Sequence, residues 1–257
     1  MGADIHPVNY ASNHYTVMAN DVIRGKQEMT LQEARIIRLL ITQVVKEDKD
    51  LKTYVMNIND LAKFLNIPKS NLYRDIYNIC DSLLQRVVRI GSGDARDSWT
   101  KFQWIQLARY DGHGNITLML SEQIKPYVIE LEKYFTQYKL ENILEMNSFY
   151  AIRLYELLKC DDFTNGDTME YSIDFLRQFF DCEDKYKPFN DFKKRVIDIS
   201  IKEINAKSDI EIRNLEYVKE GRRVTALRFE LHYNVKVELR RSREAMEQLG
   251  LEGAYMG

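Results

Sequence analysis

The chain has 257 residues, of which 45% are hydrophobic and 30% charged, with a formal net charge of −2. That length supports two cores of ordinary domain size, and that balance excludes an unfolded chain. No apolar run approaches the roughly 18 residues of a membrane span, and the near-neutral total excludes a chain that is basic throughout.

Residues 1–16 are polar and lack the continuous apolar segment of a secretory leader, so they read as a flexible arm. Cys80, Cys160 and Cys182 are far apart and odd in number, which fits a reducing cytoplasm better than a disulfide framework. Thr30-Leu31-Gln32-Glu33 has the spacing of a capping box, in which each polar end satisfies a free backbone N–H of the first turn. Ala34, Ile37, Leu40, Ile41 and Val44 then recur at helical spacing, which turns one face to the core. A strand near 54–58 leads to Asn59 as N-cap of a short helix to Leu65, with Leu61, Phe64 and Leu65 inward. Pro68 cannot continue that helix, and Ser70 is placed to cap a longer one over 71–84. Segments 87–90, 102–108 and 116–120 read as strands, with turns at Gly91-Ser92-Gly93 and over 111–115. A further helix and a short strand rich in Tyr and Phe occupy 121–145.

The remainder repeats the pattern. Asn57 to Leu65 is echoed by Ser172 to Phe180 at an offset of 115 residues, with Ile58, Leu61, Phe64 and Leu65 falling on Ile173, Leu176, Phe179 and Phe180. In the next helix Leu72, Ile76, Ile79 and Leu84 fall on Phe192, Val196, Ile199 and Ile204 at an offset of 120, so five extra residues lie between 182 and 188. A helix over 149–159, with Ile152, Tyr155 and Leu158 inward, opens the second copy, and a hairpin turning at 219–223 closes it. Helix, short helix, long helix and hairpin make a winged helix, in which the long helix enters a DNA major groove and the wing reaches the flanking backbone. The expected class is therefore α+β, with two tandem winged-helix domains related by duplication. Their bounds are 17–120 and 147–233, joined by 121–146 and followed by a charged helix and tail over 234–257.

Charge supports a nucleic-acid reading of the second copy. Residues 184–243 hold sixteen Lys and Arg against ten Asp and Glu, a balance of +6 that leaves −8 for the rest. On the long helix Phe189, Phe192, Val196 and Ile199 share one side; Lys194, Asp198, Lys202 and Asn205 lie across from them, with Arg195 at the margin. Lys194, Arg195 and Lys202, with Lys187 and Lys193 near the helix start, are the expected DNA contacts, and Asp198 either accepts from cytosine or pairs with Lys194 or Lys202. Lys219, Arg222 and Arg223 beside Gly221 bring cations to the wing tip. Lys69 and Arg74 occupy the comparable helix of the first copy, where Tyr73 and Tyr77 are expected to pack. Core burial is the default for Trp99, Phe102 and Trp104, although an exposed strand there would build a dimer face.

At this point the order of motifs resembles a known family. Residues 148–159 (SFYAIRLYELLK), then Phe192-Lys193-Lys194-Arg195-Val196-Ile197, Lys202-Glu203-Ile204-Asn205 and the wing Glu220-Gly221-Arg222-Arg223-Val224 are similar to the second winged helix of the plasmid replication initiators that bind iterons. The likeness covers 17–233, more loosely in the first copy. It implies a cytoplasmic protein that binds tandem repeats at a plasmid origin as a monomer. It further implies dimerisation through the first winged helix on an inverted operator that represses its own gene, and a host initiator and helicase as partners.

Nothing points to catalysis, a cofactor or a metal. His6, His14, His113 and His232 are isolated, with no HxH pair, and Arg24-Gly25-Lys26-Gln27 lacks the earlier glycine and the Ser/Thr of a phosphate loop. A dedicated repressor using the same two units, and an assembly module whose winged helices bind protein, are the competing readings.

Overall fold

In the computed structural model the described residues are 5–11, 14–91, 97–131, 134–161 and 166–248; the expected turn residues Ser92 and Gly93 and the tail from Leu249 lie outside them. The first unit runs through β1 (Ile5–Pro7), β2 (Tyr15–Ala19), α1 (Asn20–Arg24), β3 (Lys26–Gln27), α2 (Leu31–Ile41), β4 (Thr53–Asn57), α3 (Ile58–Leu65) and α4 (Lys69–Gln85). It continues with β5 (Val87–Gly91), β6 (Trp99–Gln103), β7 (Ile105–Tyr110) and β8 (Asn115–Leu120). Then come α5 (Lys125–Val128), β9 (Phe135–Lys139), α6 (Glu141–Leu144) and α7 (Phe149–Cys160). The second unit opens on α7 and continues through β10 (Thr168–Ser172), α8 (Ile173–Phe179), α9 (Phe189–Phe192), a π-turn at Lys193–Ile197, α10 (Asp198–Lys207), β11 (Ile210–Glu220), β12 (Arg223–Tyr233) and α11 (Val235–Gln248).

The duplication is present in backbone detail. In each unit the strand before the short helix pairs antiparallel with the last strand of the hairpin, β4 with β8 and β10 with β12. Asn57 and Ser172 stand at equivalent positions, and each accepts a backbone N–H of the following turn in its side chain. The cap is therefore Asn57 rather than Asn59, which already lies inside α3. The short helices also end alike: Asn66 and Asp181 take left-handed φ values of 53° and 54°, a conformation that Asn and Asp tolerate better than most residues. Lys69 opens α4 directly after Pro68, so Ser70 falls in the first turn and no side chain caps it.

Two expectations for the first unit change. The segment 102–108 is not one strand: it divides at buried Trp104, β6 pairing with β5 in one sheet and β7 with β8 in another. The arm is not free along its described length either. β1 lies parallel against β4, covering an edge that would otherwise stand open, and Tyr15 and Thr16 pair with Lys139 and Tyr138.

The two units meet along their opening helices. Thr30 makes the expected capping box with Glu33. At the matching place on α7, Ser148 makes no side-chain cap; the Glu203 carboxylate from α10 accepts the N–H groups of Asn147 and Ser148 at 2.6 and 3.2 Å. Neither helix is amphipathic in place: α2 is buried from Glu33 through Ile41, and α7 from Ala151 through Leu158. Charged side chains are enclosed with them. Arg38 donates to both Glu156 carboxylate oxygens at 2.9 Å, Tyr138 donates to Glu156 at 2.6 Å, and Arg153 bridges Glu156 at 3.3 Å and the Gly25 carbonyl at 2.7 Å. Burial alone would push the Glu156 carboxyl up, but the Arg38 guanidinium, with Arg153 and Tyr138, outweighs it and holds the group below its ordinary range. Arg35 ties Leu65 O and Met146 O at 3.1 and 2.8 Å, fastening the end of α3 to the start of the second unit.

Removing one member of a buried pair strands the other charge, at a cost of about 3–5 kcal/mol. Glu156→Ala, which leaves two enclosed guanidinium groups without their carboxylate, is expected to lower stability to urea by that amount. Replacing Arg38, Arg153 and Glu156 together by Met is expected to cost much less, and equilibrium denaturation of the two variants checks the contrast.

Candidate nucleic-acid interface

The long helix of the second unit starts after Pro188, whose fixed backbone precedes α9. Its inner side is Phe192, Val196, Ile197, Ser200 and Ile204, all at 0% exposure. The π-turn causes this pattern: its wider i→i+5 step lets both Val196 and Ile197 face inward. It also carries Ile199 round to 42% exposure, off the apolar row where simple helical spacing placed it. Ser200 fills the vacated inner position and satisfies its hydroxyl on Val196 O at 2.6 Å.

The polar side divides into free and engaged groups. Lys194 and Lys202 are exposed, as is Lys187 just before the helix, and none has an acidic partner among the described residues. Lys193 is engaged: its ammonium contacts both Asp198 oxygens at 2.8 and 2.7 Å, which raises its pKa. Asp198 thus pairs with Lys193 rather than with Lys194 or Lys202. Asn205 leaves the expected surface row to brace the hairpin, donating to Ile212 O at 2.8 Å and accepting from Ile212 N–H at 2.7 Å. Arg195 lies 5.7 Å over the Tyr186 ring and, with Ile199 and Glu203, lines a cleft of about 580 Å³ between the units.

The wing is the β11–β12 hairpin. Gly221 turns it with φ +61°, a value that an L side chain rarely adopts, although open space surrounds its position. Lys219, Arg222 and Arg223 are all exposed there. Arg223 reaches within 4.0 Å of Asp174 on α8, while Lys219 and Arg222 have no acidic partner among the described residues. The helix start is fastened to the wing strand, with the Phe189 ring edge-on to Tyr217 at 6.2 Å. Cations of the helix and of the wing tip therefore belong to one framework.

In the first unit α4 is the counterpart. Lys69 is exposed, with its ammonium 5.5 Å from the Tyr73 ring centre, and Arg74 is held by a two-point contact with its neighbour Asp75 at 2.9 Å. Tyr73 and Tyr77 do not pack as expected: they are 37% and 78% exposed, because the inner row of α4 is Leu72, Ile76 and Leu83. Trp99 also departs from the default of burial, at 54% exposure, whereas Phe102 and Trp104 are enclosed. Among the described residues no cluster of His, Cys, Asp or Glu could hold a metal ion, and no helix is long and apolar enough to cross a membrane.

Known proteins share this architecture. A family model described as "Initiator Replication protein, WH1" matches residues 15–159, and one described as "Initiator Rep protein, WH2" matches 172–231. A "Replication initiation protein" of Escherichia coli is 26% identical over 228 residues, covering 86% of this chain and 70% of that one. The "PI protein" of Escherichia coli is 29% identical over 143 residues, covering 50% and 46%. Among solved structures, the Pi initiator protein in complex with iteron DNA superposes with a TM-score of 0.67 at 20% identity, covering 87% of this chain and 98% of that one. The first model runs through α7, the helix that both units enclose. Matched in both of its units, the chain belongs to the family of initiator replication proteins built from two winged helices.

Proposed function

We propose that the protein initiates replication of a plasmid by binding directly repeated origin sequences, and that it does so without catalysing a reaction. The observation that carries the proposal is the set of unneutralised cations Lys187, Lys194, Lys202, Lys219 and Arg222 on the long helix and wing of the second unit. Exposed cations with no acid beside them are the groups that displace counterions from phosphates. The likeness to an initiator solved with iteron DNA agrees with this use of the fold.

On the same reading Lys69 and Arg74 make auxiliary contacts, and a second copy pairs through the first unit to hold an inverted operator and repress the protein's own gene. The free outer edge of β7, with Leu107 and Tyr110 exposed beside it, supports pairing there. The host initiator and replicative helicase are the partners at the opened origin, in the cytoplasm.

Binding to duplex repeats, measured against salt, tests the residues. Lys194→Ala and Arg222→Ala are each expected to weaken affinity and reduce the log–log salt slope by about one. Asp198→Asn releases Lys193 and is expected to steepen that slope by a similar amount. Unchanged slope and affinity in both alanine variants would overturn the interface.

Sizing of the complexes tests the function. One protomer per direct repeat and two per inverted site are expected, with no nicking of origin DNA and no ATP turnover. The same stoichiometry on both kinds of site would remove the distinction between initiator and operator complexes.

A further inference from the structure

The first unit carries a hairpin, β5–β6, that β3 extends into a three-stranded sheet with no counterpart among the described residues of the second unit. One face of this sheet is core. Val88 and Phe102 are buried, and Phe102 stacks on Tyr127 with ring centres 5.3 Å apart. The alternation of strand side chains puts Arg89, Gly91, Trp99 and Lys101 on the opposite face.

That face is costly to assemble for packing alone. Arg89 and Lys101 are direct cross-strand partners, and like charges so placed repel. Neither has an acidic partner among the described residues. Lys26, paired with Arg89 from the other side, is already satisfied by Asp181 at 2.6 Å and Glu183 at 2.8 Å, so its neighbours gain no neutralisation through it. Trp99 stands across from Gly91, which has φ +97° and could take a Cβ only 2.5 Å from Ser98 O. The glycine required there leaves the indole without a cross-strand side chain to cover it. A large aromatic surface therefore lies exposed next to exposed Lys101 and half-buried Arg89.

We infer that this sheet face binds unpaired nucleic acid, with the backbone held by Arg89 and Lys101 and a base stacked on Trp99. A duplex offers phosphates, but its base faces are covered by their own neighbours, so it leaves the indole unused. A single strand offers both, and stacking on an aromatic side chain tolerates any sequence. The site goes beyond the duplex binding proposed above and does not depend on it.

The chain has two tryptophans, and Trp104 is 0% exposed, so quenching by an added strand reports Trp99. The full chain is titrated at low salt with oligothymidylate of about 20 nucleotides, enough to exceed the 4–16 that one small domain covers. Quenching of emission is expected, and Trp99→Phe is expected to abolish it. Trp99→Ala is expected to weaken the oligonucleotide about tenfold, as loss of one stacked base does. Arg89→Ala and Lys101→Ala should each reduce the single-strand salt slope by about 0.7. Repeat duplex should bind all four variants as it binds the unaltered chain.

Absence of quenching, or undiminished oligothymidylate affinity in Trp99→Ala, overturns the inference. So does equal quenching by polyglutamate, which would mark an acidic protein partner, or an equal loss of duplex affinity, which would make the face part of the duplex site. Oligothymidylate binding without duplex binding would defeat the proposed function and leave this site standing.

Discussion

A buried ion pair between equivalent positions of the two units constrains everything else. Arg38 and Glu156 lie 118 residues apart, the same spacing that separates Leu31 and Phe149 at the starts of their helices. Both side chains are at 0% exposure, and Arg153 adds a second enclosed guanidinium beside the same carboxylate. Such a cluster contributes little stability that an apolar core would not, since desolvation offsets most of its attraction. Its demand is geometric. The fork of Arg38 reaches both Glu156 oxygens only in one relation of α2 to α7, and Arg153 reaches Gly25 O only in that same relation. Because the wing and long helix of the second unit are built on α7 through Glu203, the spacing between the two α4-type helices follows from this joint.

Local chemistry made much of the fold readable in advance. Apolar residues at three- and four-residue spacing, repeated in both copies, located the short and long helices, although spacing placed the first cap at Asn59 where the backbone uses Asn57, the counterpart of Ser172. Tertiary choices left no such trace. The apolar spacing of α2 predicts one inner face, yet the helix is enclosed on all sides because the second unit covers the rest. Residues 102–108 look continuous as a strand, and only the burial of Trp104 between two sheets explains why they part.

The basic surface of the second unit was legible as a composition and not as an arrangement. A surplus of Lys and Arg locates the basic unit, but which cations remain open depends on neighbours that helical spacing misplaces. The π-turn over Lys193–Ile197 rotates the later positions, so Lys193 reaches Asp198 and Ile199 meets solvent. A signal for Trp99 did exist. It stands three residues from Phe102, an odd separation that sends the two aromatics to opposite faces of any strand, so one of them had to leave the core.

The two wings, finally, are not equivalent in charge. At the tip of the second, Lys219, Arg222 and Arg223 outnumber Glu220 around Gly221. At the tip of the first, Asp111 accepts the N–H groups of His113 and Asn115 and the Asn115 amide, at 2.7, 3.0 and 2.7 Å. The Asn115 backbone N–H and side-chain amide, with the His113 N–H, bring the Asp111 carboxyl down to about 2, so this side chain is ionised at neutral pH. With exposed Arg109 two residues before it, Asp111 leaves the first wing tip without the surplus of positive charge that the second carries. On the function proposed above, the first unit meets a duplex through α4, where Lys69, Tyr73 and Tyr77 are exposed, and the second clamps the phosphates.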